Sequence, residues 1–462
     1  MRPLILAAAL ILLGISELGL LYLNVPEFRL PARLAFVALC PLLMPHFTFR
    51  EWALTAIAGA LALGLLARGG ASDALYALDR AAFFAAFIYL VTLLKEAAQR
   101  SASVLELGQY MTRQPPGRRY FSLALGGHGL GVFLNFGAIS LLTPLIQRGV
   151  RSTAQSGQEA EISEQRQISA LLRGFSWMIM WSPTALTQAV LFTSFPGVRP
   201  EIVIPLGIAA SVAMILLGRG MDLLKWRHSL APAPISQPQF PKSAGRRFSL
   251  ICAILISATY LMVMIANVSA AVALMLVAPA VMTAWLYAQN FGAHSAGALR
   301  ATGSALHEIF IRNAKDPARS AFVLGAAGFI GEAAAKIVPV AQIAHQLNIA
   351  TVPTWIVLAI LPVIITLGGQ VALSPILVVV FLAAVINELP VLPADPNLIV
   401  FALGAGWALS MSASPNASAT LLISGITGIA PTKLTWHWNG TYAAVSFLVF
   451  VLAFYWLARI FG

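Results

Sequence analysis

Charge is scarce in this sequence. Asp, Glu, Lys and Arg make up 10% of its 462 residues, where soluble domains carry about 25%. Hydrophobic residues make up 59% and the mean hydropathy is +0.83. A soluble globular fold is excluded, and an all-α polytopic membrane protein is expected. Cysteine is nearly absent too. Cys40 and Cys252 both fall inside apolar runs, so neither a disulfide framework nor a cysteine metal site is expected. Carboxylates are missing from almost every apolar run, with Glu17 and Glu332 the clear exceptions. Walker, Gly-x-Ser-x-Gly and His-Glu-x-x-His sequences are also lacking. The chain is therefore expected not to be an enzyme and to use no cofactor beyond a coupling ion.

What is present is a succession of apolar runs of about the 20 residues a bilayer needs. They lie at about 3–24, 33–48, 52–67, 79–98, 168–195, 201–218, 248–266, 269–288, 319–340, 397–428 and 440–460, which predicts about 11 transmembrane helices. A basic, Pro-rich stretch at 219–247 divides the chain near its middle. The formal charge of +12 would suggest nucleic acid in a soluble protein. With the N-terminus placed in the cytoplasm, most Lys and Arg fall on the cytoplasmic side. The exceptions are Arg29, Arg33, Arg68, Arg80, Arg199, Lys336 and Arg459. The bias fits the positive-inside rule, so no nucleic-acid partner is implied. The expected location is the bacterial cytoplasmic membrane, with the C-terminus periplasmic.

Between these runs lie two apolar segments that a plain lipid-facing helix would not use. Gly126 to Ile146 reads GGHGLGVFLNFGAISLLTPLI, with five glycines, a His, an Asn and a closing Pro. Broken backbone at membrane depth needs protein or a cavity around it. Re-entrant hairpins are therefore predicted at about 119–147 and, for the similar stretch ending in VIITLGGQVALSPILVVV, at about 354–387. The bland alternative for the first is a glycine-rich packing helix.

The odd features recur. Gly126-Gly127-His128 is matched with Gly368-Gly369-Gln370, Gly174–Trp177 with Gly404–Trp407, and Ser182-Pro183-Thr184-Ala185 with Ser414-Pro415-Asn416-Ala417. Each unit holds an odd number of spans, so two inverted-topology repeats are expected, at 33–218 and 248–462, with 1–32 an added N-terminal scaffold helix. Paired, Gly/Pro-interrupted segments in inverted repeats are the sequence mark of secondary transporters. In each half, Pro and Ser would open and cap the second part of a broken helix. Candidate substrate or ion ligands are Asn135, Gly137, Ser182, Thr184, Gly369, Gln370, Ser374, Ser414, Asn416 and Ser418, with His128 a candidate for proton coupling. Glu332 is expected to pair with Lys336 one turn later.

The string FLNFGAISLLTP, from Phe133 to Pro144, resembles the first hairpin of the ion transporter superfamily. That group holds divalent anion/sodium symporters, citrate and C4-dicarboxylate carriers, and arsenite or sodium/proton antiporters. WSPTALTQA and SASPNASAT sit where those proteins carry the unwound part of a helix. The resemblance implies an elevator-type carrier and a homodimer, in which hairpins and broken helices slide against a scaffold. Where the symporters carry Ser-Asn-Thr at both tips, this chain has Leu134-Asn135-Phe136 and Gly369-Gln370-Val371, which leaves sodium coupling and a dicarboxylate substrate open. The expected function is secondary transport of a small anionic solute, coupled to H⁺ or Na⁺. A Na⁺/H⁺ antiporter is the rival within the superfamily, and a membrane-embedded polyprenyl-linked sugar transferase is a more distant one. Lipid and a small solute or ion are the expected partners.

Overall fold

A computed structural model of the chain describes residues 2–153, 157–195, 197–226, 239–293, 297–339, 342, 345–346, 351–371 and 373–461. These are helical almost throughout. The helices are α1 Arg2–Leu23, α2 Arg29–Leu43, α3 Phe49–Ala67, α4 Ala71–Gln99, α5 Ala102–Thr112, α6 Pro116–Leu134 and α7 Phe136–Thr153. They continue with α8 Gly157–Met178, α9 Leu186–Ser194, α10 Pro200–Trp226, α11 Lys242–Ala266, α12 Ala270–Ala293 and α13 Ala298–His307. The last are α14 Lys315–Ile337, α15 Thr354–Gln370, α16 Pro375–Asn387, α17 Pro396–Ala413, α18 Ser418–Thr427 and α19 Gly440–Phe461.

Among the described residues, 10 stretches are helical, long and apolar enough to cross a membrane. The run at 168–195 is not among them. Its helix, α8, starts earlier and carries Glu159, Glu161, Glu164 and Arg166 in its first half, and the apolar remainder is split off as the nine-residue α9. The expected linker is shorter than 219–247, because α10 runs on to Trp226 and α11 begins at Lys242; residues 227–238 lie outside the described residues.

The helices group into two compact units, each made of separate pieces of chain. The first comprises Met1–Arg100, Ile251–Leu347 and Val380–Pro390. At its centre α4 packs along α14, and small residues make the close approach achievable. A Cβ on Gly325 would lie 2.8 Å from the Ala81 carbonyl, and Gly328 faces the Phe84 ring. Small residues at this spacing let membrane helices touch backbone to backbone. Several charges within the unit are paired. Arg33 holds Asp79 through two bonds of 2.6 and 2.7 Å, and Arg319 holds Glu51. Glu332 pairs with Arg80 of α4 at 3.4 Å, while Lys336 turns to Glu388. The expected one-turn pair is replaced because each side chain finds an opposite charge on a neighbouring segment. Glu17 is buried in the same unit.

The second unit comprises Ser101–Leu250, Asn348–Val379 and Val391–Gly462. Its core is α17, buried from Asn397 through Ser412, with α8, α10, α15 and α19 packed on it. A helix enclosed on every side is apolar all round, which explains why α17 shows no amphipathic pattern. Trp177 of α8 is fully buried, donates to the Tyr442 hydroxyl at 2.6 Å and stacks on Phe450.

Candidate functional site

All eleven residues singled out from the sequence belong to the second unit. Contrary to the reading of its glycines as breaks, α6 is continuous through Gly126, Gly127, Gly129 and Gly131. Gly127 and Gly131 serve packing against α8. A Cβ on Gly127 would meet the Leu171 carbonyl at 2.9 Å, and one on Gly174 of α8 would collide with the Ala124 backbone of α6. The chain instead reverses at Asn135, between α6 and α7, with φ +50° and ψ −130°. That conformation is strained for any residue with a Cβ, and Asn tolerates φ > 0 better than most. Among the described residues the Asn135 carboxamide has no hydrogen-bond partner. Gly137 is buried in the first turn of α7.

The α8–α9 connection forms the first break. Ser182 and Thr184 are both buried and their hydroxyls lie 2.8 Å apart. The Thr184 hydroxyl donates to the Val132 carbonyl near the end of α6. Gln188 of α9 folds back and donates to the Ile179 and Met180 carbonyls, at 3.0 and 2.6 Å, which the end of α8 leaves without helical partners. His128 is fully engaged. Trp181 donates its indole N–H to Nε2 at 2.9 Å, so Nδ1 carries the proton and donates to the Gly174 carbonyl at 3.0 Å. The ring is neutral in this arrangement.

The second break, between α17 and α18, follows the same plan. Ser414 donates to the Gly369 carbonyl at 2.6 Å, and the Asn416 carboxamide donates to Gly369 and Gln370 carbonyls at 3.1 Å each. Gly369 is required there, since a Cβ would stand 2.6 Å from the Ser410 hydroxyl. Gln370 donates to the Ala413 carbonyl at 3.1 Å and accepts from the Trp436 indole at 3.0 Å. Ser374, just before α16, and Ser418, the exposed first residue of α18, join neither cluster.

Neither Ser-Pro pair caps the helix that follows it. The N-cap residues are Ala185 and Ala417, neither with a side-chain cap, so α9 and α18 both begin with N–H groups that no capping side chain occupies. Thr184, Ser414 and Asn416 face backward instead, onto the hairpin carbonyls, and Ser182 bonds the Thr184 hydroxyl. Sequence reasoning missed Gln188, its counterpart Thr420 and the unpartnered Ser410 hydroxyl. A signal was there: Gln188 and Thr420 stand at the same distance after each Ser-Pro. Among the described residues, no three His, Cys, Asp or Glu side chains gather as a metal-binding group.

Two solved structures share this architecture. The YdaH transporter of Alcanivorax borkumensis superposes with a TM-score of 0.58 at 17% identity, over 92% of this chain and 97% of that one. MtrF of Neisseria gonorrhoeae, described as illuminating a class of antimetabolite efflux pumps, superposes with a TM-score of 0.53 at 12% identity, over 90% of this chain and 96% of that one. The chain has the fold of these transporters. That agrees with the resemblance to the ion transporter superfamily carried by Phe133 to Pro144. No protein-family model and no curated relative matches the sequence.

Proposed function

We propose that the protein is a secondary active carrier of a small anionic solute, a carboxylate or oxyanion, coupled to H⁺ or Na⁺. The observation that carries this reading is the repetition of contacts around the two breaks. Gly174 against Ala124 is repeated by Gly406 against Pro362. Thr184 on the Val132 carbonyl is repeated by Asn416 on that of Gln370, and Gln188 on the Ile179 carbonyl by Thr420 on that of Met411. One constant offset relates the break residues and a second relates the hairpin residues. Chance packing has no reason to keep both, and inverted repeats at 33–218 and 248–462 do. The same register sets His128 against Thr366, one helical turn before the Gln370 that sequence alone suggested.

In this reading both hairpins are re-entrant, and the uncapped starts of α9 and α18 face a shared site. Each helix start carries roughly half a positive charge, which attracts a carboxylate or oxyanion without a buried cation. The open carboxamide of Asn135, the Ser182, Thr184, Ser414 and Asn416 oxygens and the carbonyls they hold complete the polar lining. Neutral oxygens of this kind also suit Na⁺, while His128 takes up a proton only once Trp181 releases Nε2. Because every candidate ligand belongs to the second unit, that unit is the moving part of an elevator and the first is the scaffold. The scaffold keeps exposed apolar residues such as Phe49, Leu63 and Tyr260, which suit lipid and a second copy in a homodimer. The N-terminus is cytoplasmic and the C-terminus periplasmic.

The test is counterflow in proteoliposomes with a panel of radiolabelled mono-, di- and tricarboxylates. Efflux of the kind described for MtrF is carrier work on the same fold, so both directions are measured. Asn135→Ala and Asn416→Ala are expected to abolish exchange of any solute the wild type carries. Asn135→Gly isolates the side chain, since glycine accepts φ +50° without strain. Wild-type exchange in these variants would discard the site. Na⁺-for-H⁺ exchange independent of any solute would replace the carrier with the antiporter reading.

A further inference from the structure

A cavity lies apart from the breaks, and none of the candidate ligands lines it. Its volume is about 460 Å³, within the range of small-molecule sites. It sits in the second unit where α6 and α19 begin and α10 ends, lined by residues that include Tyr120, Arg166, Ser169, Arg173, Asp222 and Lys225. By the charge bias of the loops, this end is the cytoplasmic one.

The charges around it do not balance. Asp222 is held by Arg166 through two bonds of 3.0 and 2.8 Å and by Arg219 at 3.2 Å. Among the described residues Arg173 has no carboxylate partner. It is 7% exposed, donates Nε–H to the Asn439 side chain at 2.8 Å and reaches the Gly218 and Trp438 carbonyls only at 3.4 Å. The Tyr442 ring lies 4.4 Å from its Cζ. A guanidinium has five N–H donors, so part of its capacity stays unused. Burying an ion among neutral partners is costly unless an opposite charge joins it. Lys225 adds a further cation, stacked 5.0 Å from the Trp226 ring.

A neutral group points the same way. Ser169 stands one turn before Arg173 on the same face of α8, is 4% exposed, and its hydroxyl has no hydrogen-bond partner among the described residues. The Tyr120 hydroxyl is equally buried and lies against the Arg173 guanidinium. A buried hydroxyl left unpaired, as that of Ser169 is, is rare and marks a missing partner.

We infer that this cavity is a binding site for a phosphate-class oxyanion, held by Arg173 and Ser169 with Lys225 at its side. The local excess of cations suits a group carrying more than one negative charge, and the planar guanidinium fork matches phosphate oxygens. The same chemistry is offered by a free phosphate ester and by the headgroup of an anionic phospholipid. The site goes beyond the proposed carrier function and does not depend on it.

Thermal unfolding of the full chain tests it, with binding rather than transport as the readout. Inorganic phosphate, compared with chloride at constant ionic strength in detergent, is expected to raise the melting midpoint of the wild type. Ser169→Ala removes a hydroxyl with no partner and Lys225→Glu alters an exposed residue, so both variants are expected to fold. Each should weaken phosphate binding about tenfold or more. In a second arm, nanodiscs of phosphatidylglycerol are compared with nanodiscs of phosphatidylcholine. Protection by phosphate that both variants lose supports a free phosphate ligand. Protection by phosphatidylglycerol alone, again lost in both variants, supports the same site with a lipid headgroup in it. Protection in neither arm, or equal protection of wild type and variants, overturns the proposal while leaving the break site untouched.

Discussion

At the first break a single threonine hydroxyl closes the hairpin onto the broken helix, Thr184 to the Val132 carbonyl. At the second, the Asn416 carboxamide reaches two carbonyls, those of Gly369 and Gln370, and Ser414 adds a third bond. The flanking contacts differ as well. The first hairpin is anchored by His128 between Trp181 and the Gly174 carbonyl, and the second by Gln370 between Ala413 and the exposed Trp436. The register is common and the chemistry is not. A hydroxyl has one proton to give and a carboxamide two, so what the halves share is the set of carbonyls to be satisfied rather than the residue that satisfies them. In both, the side chains of the break are spent on the hairpin, and the start of the next helix is left open.

The comparison is most easily broken at the glycines that set the two helix crossings. Gly174→Ala drives a methyl into the Ala124 backbone and is expected to cost ~3 kcal/mol or more, within reach of abolishing the folded protein. Gly406→Ala meets the Ile365 side chain at 2.6 Å and the Pro362 Cα at 2.8 Å, so it should follow closely behind. Detergent melting curves and size-exclusion yield measure both. If Gly406→Ala leaves stability unchanged, the two crossings are not equivalent.

Next come the bonds themselves. Asn416→Ala removes two hydrogen bonds, leaving the Gln370 carbonyl without its donor and that of Gly369 with Ser414 alone, and is expected to cost about 2 kcal/mol, and Thr184→Val about 1 kcal/mol. A larger loss for Thr184→Val would reverse the ranking and make the first break the tighter of the two. The smallest effect is expected from Trp181→Phe, which deletes one part-buried hydrogen bond worth about 0.5 kcal/mol. It frees Nε2 of His128 to take up a proton, so exchange should gain a pH dependence that the wild type lacks. An unchanged profile would remove His128 from the coupling path.

Much of the fold was legible because bilayer-length apolar runs admit few alternatives. Ten of the expected spans correspond to long apolar helices, and both Ser-Pro pairs fall in breaks. The span at 168–195 was misjudged, since a hydropathy window does not see that the polar start of α8 is held by ion pairs such as Arg166 with Asp222. The glycines of α6 were read as local breaks, although Gly127 and Gly131 make a contact with α8 that lies more than forty residues away in sequence. Asn135 was found as the break of the glycine-rich hairpin segment. Gln188, Thr420 and the Arg173 cavity were not, because their meaning rests on carbonyls and neighbours supplied by other helices.

Composition and pattern alone thus determined a polytopic helical membrane protein, the places where its helices are interrupted and the residues near those interruptions. They could do so because apolar length, Gly and Pro act locally on the backbone. Only the tertiary structure decided which way the polar side chains of each break turn, which carbonyls they satisfy and which helix starts remain open. It also decided that Arg173 is buried with no carboxylate partner among the described residues. Those outcomes depend on which donors and acceptors packing brings within hydrogen-bond range, and no one-dimensional pattern carries that information.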